Sequence, residues 1–413
     1  MTEDRKIKNV EEIIYKDKIS ELPEDLLVTI LSLIPTKDAV ATMFLSKRWL
    51  SVWTMIRTLE YKDIDVEDYG YYDDGGELFY KHAVWYKEMK TSVWNFLDKS
   101  MQLHKAPVID HLCVKLGQSC PTDVDVVKWV ANAVSRCLLD LEFVLSWSAD
   151  PTSLPYSLYS CESLVTLTLC HKILVDVPSP SCLPSLRELD LDCVVYKDED
   201  SIVRFLSGCP VLKCLYVKRK KTDNAKKFTI KVPSLLELDY INRLFDYDLD
   251  DALVIDTPRL EDFSICDFFG DFSSIENMHF LKCAYISLDT CTSEKIISSV
   301  SSVSSLEFFL SDEMDWGSAK DITLSWNQPI STPGCLSSQL ETFKWKEYRG
   351  TEGEEQFLRY VLASSKCLNT TIISLEYTLE RNHEEKHLMM EKLKDIPRAS
   401  TTSQLLFEYI SFI

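Results

Sequence analysis

His383-Glu384-Glu385-Lys386-His387 is the stretch whose residue types and spacing come nearest to a reaction centre. Two histidines four apart share one face of a helix, where they could hold a zinc ion with Glu384 as general base. Glu391 or Glu408 could supply a third ligand. The surroundings argue against it. A catalytic metal needs a dry, shaped cavity, and here the neighbours are Asn382, Glu385 and Lys386. The stretch reads instead as part of a charged, exposed helix from about residue 380 to 394. The expectation is no catalytic residue, no metal and no cofactor.

Other chemistry is equally scarce. The chain has 10 glycines and no G-x-x-x-x-G-K or G-x-G-x-x-G, so the close backbone approach of a phosphate loop is missing. No local pattern pairs a nucleophile with a histidine. The acid runs Asp63–Asp68 and Asp246–Asp251 lack the glycine and glutamate that a calcium loop needs at its sixth and twelfth positions. Lys218-Arg219-Lys220-Lys221, with Lys226 and Lys227, is the one basic cluster. It reads either as a nuclear-localisation patch or as a solvated loop.

Composition fits a protein of two to three domains with a sizeable core: 413 residues, 46% apolar and 27% charged. A formal net charge of −20 speaks against a phosphate-binding surface, so nucleic acid is an unlikely partner. The 14 cysteines are scattered singly. Cys113, Cys170, Cys193, Cys214, Cys266 and Cys283 lie in apolar stretches and are expected to act as small hydrophobes. Neither a signal-like segment nor a bilayer-length apolar run is seen, so a cytoplasmic or nuclear location with reduced thiols is expected, with no membrane partner.

The elements that would position any site begin at Asp17. From there to Trp53 the pattern predicts three short helices. Pro23 opens the first, with Glu24 and Asp25 in its first turn and Leu26, Leu27, Ile30, Leu31 and Ile34 as its apolar positions. Pro35 ends it. Thr36 is expected to cap the second helix and Ser46 the third, which carries Trp49, Val52, Trp53 and Ile56. Three short helices cannot bury so many apolar residues among themselves, so a partner or neighbouring domain is expected to cover the surplus.

An acidic linker is expected over 59–78, and from about residue 79 a helix resumes with Phe79, Val84, Trp85 and Trp94. Then a repeat sets in. The template apolar-x-x-apolar-x-apolar recurs as Ile109-Leu112-Val114, Leu138-Leu141-Phe143, Leu164-Leu167-Leu169 and six further copies to Val303-Leu306-Phe308, at intervals of 21 to 29 residues. Two wider-spaced copies follow at Leu340 and Leu368. The pattern predicts an α/β solenoid: parallel strands lining a concave face, with helical or loop returns. Positions between the leucines would face outward there, and Thr166, Thr168, Glu188, Asp190, Lys213 and Tyr216 are candidate target contacts.

Leu22-Pro23, Ile30-Leu31-Ser32, Pro35-Thr36-Lys37-Asp38 and Leu45-Ser46-Lys47-Arg48-Trp49 resemble an F-box, of the kind that opens plant F-box proteins with leucine-rich repeats. Leu183-Pro184-Ser185-Leu186 and Leu206-Ser207-Gly208-Cys209-Pro210 resemble the repeat phrases of the same family. Pro333-Gly334-Cys335-Leu336, Tyr348-Arg349-Gly350 and Pro397-Arg398-Ala399-Ser400 resemble the FBD domain that ends such proteins.

Residues 1–16 are mixed in charge and are expected to be a flexible start. The resemblance implies an F-box over 17–58, repeats over 79–330 and an FBD domain over 331–407 that closes the solenoid. It further implies a non-catalytic substrate receptor that docks on the Skp adaptor and through it on cullin–RING. Leu22, Pro23, Leu26, Ile30, Leu33, Val40 and Trp49 would lie at or just under that contact. Phe44 and Leu50 depart from the commonest F-box pattern. They leave open a repeat scaffold that binds a partner without adaptor docking.

Overall fold

A computed structural model describes residues 19, 21–63, 92–220, 222–242, 252–267, 271–275, 278–288, 300–310, 332–375 and 383–408. The expectations for 1–16, for Phe79, Val84 and Trp85, and for the acid run 246–251 lie outside the described residues.

One 13-stranded parallel sheet runs the length of the protein. Its strands are β1 (Thr58–Lys62), β2 (His111–Leu116), β3 (Asp140–Leu145), β4 (Thr166–His171), β5 (Glu188–Asp192), β6 (Cys214–Arg219) and β7 (Glu237–Asn242). They continue as β8 (Asp262–Asp267), β9 (Cys283–Leu288), β10 (Ser305–Leu310), β11 (Thr342–Tyr348), β12 (Thr370–Leu375) and β13 (Gln404–Glu408). Their spatial order is their chain order.

The repeat template explains the register. Its second apolar positions stand opposite one another from strand to strand: Leu112, Leu141, Leu167, Leu189, Leu215, Leu238, Phe263 and Ala284. The third positions form a parallel row: Val114, Phe143, Leu169, Leu191, Val217, Tyr240, Ile265 and Ile286. All of these are buried. Because strand side chains alternate, both rows point to one side and form the core. The returns cover that side. The helices α5 (Val127–Val134) and α6 (Asp200–Ser207) supply two of them. Some returns also add short strands, in two small parallel sheets, 152–153 with 173–175 and 195–196, and 227–231 with 252–256 and 271–275. Phe228 of the second small sheet packs between Tyr196 and Tyr240, at ring separations of 5.6 and 5.7 Å.

The N-terminal unit is α1 (Glu24–Leu31), α2 (Thr36–Ala41), a 3-10 turn over Thr42–Phe44 and α3 (Lys47–Trp53). Two capping expectations are corrected. Pro35, not Thr36, stands at the cap position of α2; Thr36 is the first helical residue and is buried. Ser46 stands at the cap of α3 with extended backbone, but its side chain makes no capping bond.

The linker boundary is corrected as well. Residues 59–62 belong to β1, which pairs in register with β2, Leu59 opposite Leu112 and Tyr61 opposite Val114. Ile56, Leu59 and Tyr61 repeat the solenoid template and are all buried. Asp63 then closes the base of the following segment. Its carboxylate accepts the Ser92 hydroxyl at 2.9 Å, the Val93 N–H at 2.6 Å and the Gly117 N–H at 2.8 Å. The chain thus leaves at 63 and returns at 92 to one point, where α4 (Trp94–Leu103) begins.

The C-terminal part extends the sheet by three more parallel strands, with a register irregularity between Trp345 and Tyr348, and β13 is the last of them. The helix α7 (Gly334–Ser338) leads into β11, α8 (Glu352–Ser364) lies between β11 and β12, and α9 (His383–Lys394) precedes β13. A capping box opens α8: Thr351 accepts the Glu354 N–H, and Glu354 accepts the Thr351 N–H. Gly350 just before it has φ +77°, and a Cβ there would meet Met389 of α9 at 2.8 Å. The positive φ is what calls for glycine there, since the Met389 methyl end could move aside.

Candidate functional site

Two surfaces stand out from the fold, an apolar patch on the N-terminal helices and the open face of the long sheet. The patch arises because the three helices bury only one side. Leu27, Leu31, Ala39, Trp49, Val52 and Trp53 point inward and join the solenoid core. Leu26, Ile30, Leu33, Ile34, Phe44, Leu45 and Leu50 are exposed, Leu33 at 82% and Phe44 at 83%. More than half of the large exposed apolar side chains among the described residues lie between Ile19 and Met55. Of the residues that sequence placed at an adaptor contact, Pro23, Leu26, Ile30 and Leu33 are exposed, Leu22 and Val40 half-buried, and Trp49 buried. The Arg48 guanidinium donates to the Leu22 carbonyl and so fixes the entry to α1 against α3. Phe44 and Leu50, the two departures from the F-box pattern, both belong to the exposed patch.

Hydrogen bonds join this unit to the sheet. The Thr36 hydroxyl accepts the Glu60 N–H of β1 at 2.8 Å. The Thr54 carbonyl accepts the N–H groups of Lys105 and Ala106 at 2.8 and 3.0 Å. Buried His104 bonds through Nε2 to the Ile56 carbonyl at 2.7 Å and through Nδ1 to the Arg136 guanidinium at 2.8 Å. Arginine donates only, so Nδ1 accepts and Nε2 carries the proton. Burial, with the Arg136 charge beside it, holds His104 below the usual imidazole range against the pull of the Ile56 carbonyl.

The open face carries the side chains that alternate with the two core rows. One row runs Glu60, Cys113, Glu142, Thr168, Asp190, Tyr216, Asp239, Ser264, Tyr285, Glu307 and Lys344. A second runs beside it through Thr166, Glu188, Cys214, Glu237, Asp262 and Cys283. Five of the six residues proposed from sequence as target contacts lie in these rows; Lys213 sits at the rim, just before β6, and is exposed. Asp239, Ser264, Tyr285 and Glu307 lie in the same row at the same repeat offset, and that offset was the signal that could have named them. A shallow depression of about 240 Å³ lies over Glu237, Asp239, Asp262, Ser264, Tyr285 and Glu307.

Charge on this face is uneven. Toward its ends carboxylates meet lysines: Glu60 with Lys62 at 3.1 Å, Glu142 with Lys115 at 2.7 Å, Glu408 with Lys344 at 3.1 Å, and Glu307 with Lys346. In the middle, Lys218 stands 3.8 Å from Asp192. Glu188, Asp190, Glu237, Asp239 and Asp262 have no cation within 4 Å among the described residues. Burial, then the neighbouring Asp192 and Glu188, pushes the Asp190 carboxyl up to about 7.

Cys113 and Cys170 point to the open face yet are buried, Cys170 against Val144, as the apolar-stretch reading expects. Cys214, Cys266 and Cys283 occupy outward positions on that face and are only partly buried or exposed. Cys113 donates to Glu142 at 3.1 Å, and burial followed by that bond raises its pKa. The basic cluster does not form one surface either. Arg219 is buried, donating to Asp223 at 2.7 and 3.2 Å and to the Ala225 carbonyl. Lys218 faces the open side of the sheet, and Lys221 lies outside the described residues. In α9, Glu384 and His387 are exposed, and His387 stands 3.9 Å from Glu391. The His383 side chain lies outside the described residues. Among the described residues no group of three or more His, Cys, Asp or Glu could hold a metal, and no helix is long and apolar enough to cross a membrane.

Comparison with known proteins matches three families along the chain. The F-box domain family matches residues 19–61 and the FBD family residues 328–373. The leucine-rich repeats of FBD-associated F-box protein At5g56370 match residues 126–282. The chain is similar to the putative FBD-associated F-box protein At1g05080 of Arabidopsis thaliana, at 48% identity over 97% of this chain and 99% of that protein. It is also similar, in the same organism, to the putative F-box/FBD/LRR-repeat protein At1g22000, at 42% identity over 94% and 90%. The F-box/FBD/LRR-repeat protein At4g26340 is 34% identical over 95% and 100%. The F-box match runs through β1, in line with the continuity of helices and sheet.

Proposed function

The chain belongs to the F-box/FBD/LRR-repeat family of plant proteins, and from that premise we propose that it is the substrate-receptor subunit of a Skp–cullin–F-box ubiquitin ligase. The observation that carries the reading is the apolar patch of Leu26, Ile30, Leu33, Phe44 and Leu50 on helices whose other side is already buried. A patch of this kind on a soluble protein marks a docking surface. The occupant proposed here is the Skp adaptor, and through it the cullin–RING subunits.

The target would bind the solenoid. The receptor itself does no chemistry in this scheme. It raises the effective concentration of target lysines near the ubiquitin thioester carried elsewhere in the complex. The hydrogen-bonded junction at Thr36, Thr54 and His104 suits that role, since orientation set at the adaptor carries directly to the sheet. Free cysteines suit a reducing cytoplasmic or nuclear setting.

The test is co-expression of the full chain with a plant Skp-type adaptor, followed by size-exclusion chromatography beside a Leu33→Asp/Ile30→Asp variant. A one-to-one complex that the variant loses is the expected result. A folded wild-type chain that binds no adaptor paralogue would overturn the reading in favour of a repeat scaffold without adaptor docking.

A further inference from the structure

The open face holds two pairs of the same side-chain types on adjacent strands. Tyr285 of β9 stands opposite Glu307 of β10. Over that pair sits one of the chain's own ammonium groups: Lys346 Nζ lies 5.1 Å from the Tyr285 ring centre and is ion-paired to Glu307. Tyr216 of β6, whose partner in register is Asp239, reaches diagonally to Glu237 of β7, and its hydroxyl donates to Glu237 at 3.0 Å. No lysine or arginine of the described residues pairs with Glu237. Asp190 flanks Tyr216 on β5, and Asp239 flanks it on β7, each one strand away in the same row. The carboxylates there meet polar neutral partners at most, as Asp239 meets the Ser264 hydroxyl at 2.9 Å. A carboxylate and a tyrosine face together favour an ammonium or guanidinium, and the first pair shows the chain using that chemistry.

We propose that the face around Tyr216, Glu237, Asp190 and Asp239 docks a lysine- or arginine-bearing extended segment of the target protein, one cation seated on the Tyr216–Glu237 pair as Lys346 sits on Tyr285–Glu307. The proposal rests on the receptor reading above and names the chemistry of its target. Spacing narrows it further. Neighbouring strands lie about 4.8 Å apart, so Asp190 and Asp239, two strands apart, are separated by about 10 Å. An extended segment in the polyproline II conformation, crossing the strands, advances about 9 Å in three residues and returns every third side chain to the same face. Basic residues at every third position would therefore meet successive carboxylates.

The probe is a fluorescein-labelled nonapeptide with lysine at every third position and alanine between, titrated with the full chain by anisotropy at about 50 mM salt, where surface charge is least screened. Saturable binding is expected, weakened about fivefold or more by Glu237→Gln and by Asp190→Asn. Glu60→Gln, which removes the same charge at a position already paired with Lys62, should leave it within about twofold. Ser264→Lys supplies an ammonium from the chain itself next to Asp239 and should weaken the peptide at least as much as Glu237→Gln. Circular dichroism and a melting curve for each variant keep misfolding apart from lost binding. Absence of saturable binding, or equal losses from Glu237→Gln and Glu60→Gln, would overturn the proposal, the second because it reads only net charge. Adaptor binding is measured separately, so loss of the receptor reading and loss of this one give different results.

Discussion

The hydroxyl of Thr36, at the start of α2, accepts the backbone N–H of Glu60 in β1 at 2.8 Å. The other edge of β1 pairs with β2, so Thr36 occupies the edge that the sheet would otherwise leave bare. The F-box helices are thus the N-terminal cap of the solenoid as well as its proposed docking unit. An exposed edge strand is a template for wrong pairing, and covering it is a recurrent solution.

Thr36→Val keeps the shape of the side chain and removes the acceptor. The Glu60 N–H is left in a part-buried site without its partner, at a cost of about 1–2 kcal/mol. Thr36→Ser restores the oxygen and should recover most of the loss. Urea denaturation of the three proteins checks this, and a Val variant as stable as wild type would remove the bond from the account.

The docking patch and its support separate cleanly by mutation. Leu33 is almost fully exposed, so Leu33→Asp should change stability by no more than about 0.5 kcal/mol while weakening adaptor capture. Trp49 lies in the interior, and Trp49→Ala should cost about 3–5 kcal/mol by leaving a cavity. Melting temperature and adaptor pull-down on the same samples distinguish the two. Loss of stability in both would mean that Leu33 is not a surface residue.

His104 makes the junction acid-sensitive. Its folded-state pKa is held down, so the unfolded chain binds the proton more readily. The stabilisation from neutral His104 is full above about pH 6.5 and is lost as the pH falls through the depressed folded value. Protonated Nδ1 could no longer accept from Arg136. His104→Gln keeps one donor for Ile56 and one acceptor for Arg136 but does not titrate. Between pH 7.5 and 5.5 the wild type should therefore lose more stability than the variant. Comparing the two cancels other titrations, including that of His111, whose pKa Asp140 raises. Parallel stability–pH curves would contradict the assigned tautomer.

Arg219 and Asp223 form a pair that is almost wholly buried, 2% and 3% exposed. Asp223→Ala leaves the guanidinium uncompensated, and a loss of about 3–5 kcal/mol is expected. The double variant Arg219→Met/Asp223→Leu should lose less than the single one, because no charge is stranded. Denaturant midpoints order the three proteins, and a single variant milder than the double would show that the pair is not desolvated as described.

The sheet was legible because its signal repeats. Any one apolar-x-x-apolar-x-apolar match is weak, but Leu112 through Ile286 in phase fixed both register and core. The first strand escaped because Leu59 and Tyr61 follow the F-box directly and sit beside acidic residues that suggested a linker. Only pairing to β2 reveals them. Thr36 was misplaced for a related reason: a threonine after a proline looks like a cap, and its distant partner Glu60 is invisible in local sequence. Arg219 read as one of four surface cations because a basic run carries no mark of alternation, whereas the strand turns Lys218 outward and Arg219 in. At the adaptor patch, helical spacing separated Leu27 and Leu31 from neither Leu26 nor Ile30, since all four fit an apolar stripe. Which pair faced out depended on where α3 and the sheet lay. The open-face residues Glu237 and Tyr285 were hidden only by not carrying the repeat offset through every strand.

Strand order that equals chain order has a consequence for synthesis. Each strand pairs with the one made just before it, so nothing in the sheet must wait for a distant partner to leave the ribosome. The N-terminal helices emerge first and cover the edge of β1 as soon as Glu60 appears. Every later strand then extends a sheet that already has one finished end. If the chain is the receptor proposed above, one halted partway would keep its apolar patch yet lack the face around Tyr216 and Glu237, and would occupy ligase subunits without delivering a target. Premature stop codons beyond the F-box are thereby expected to act as dominant inhibitors rather than as simple losses.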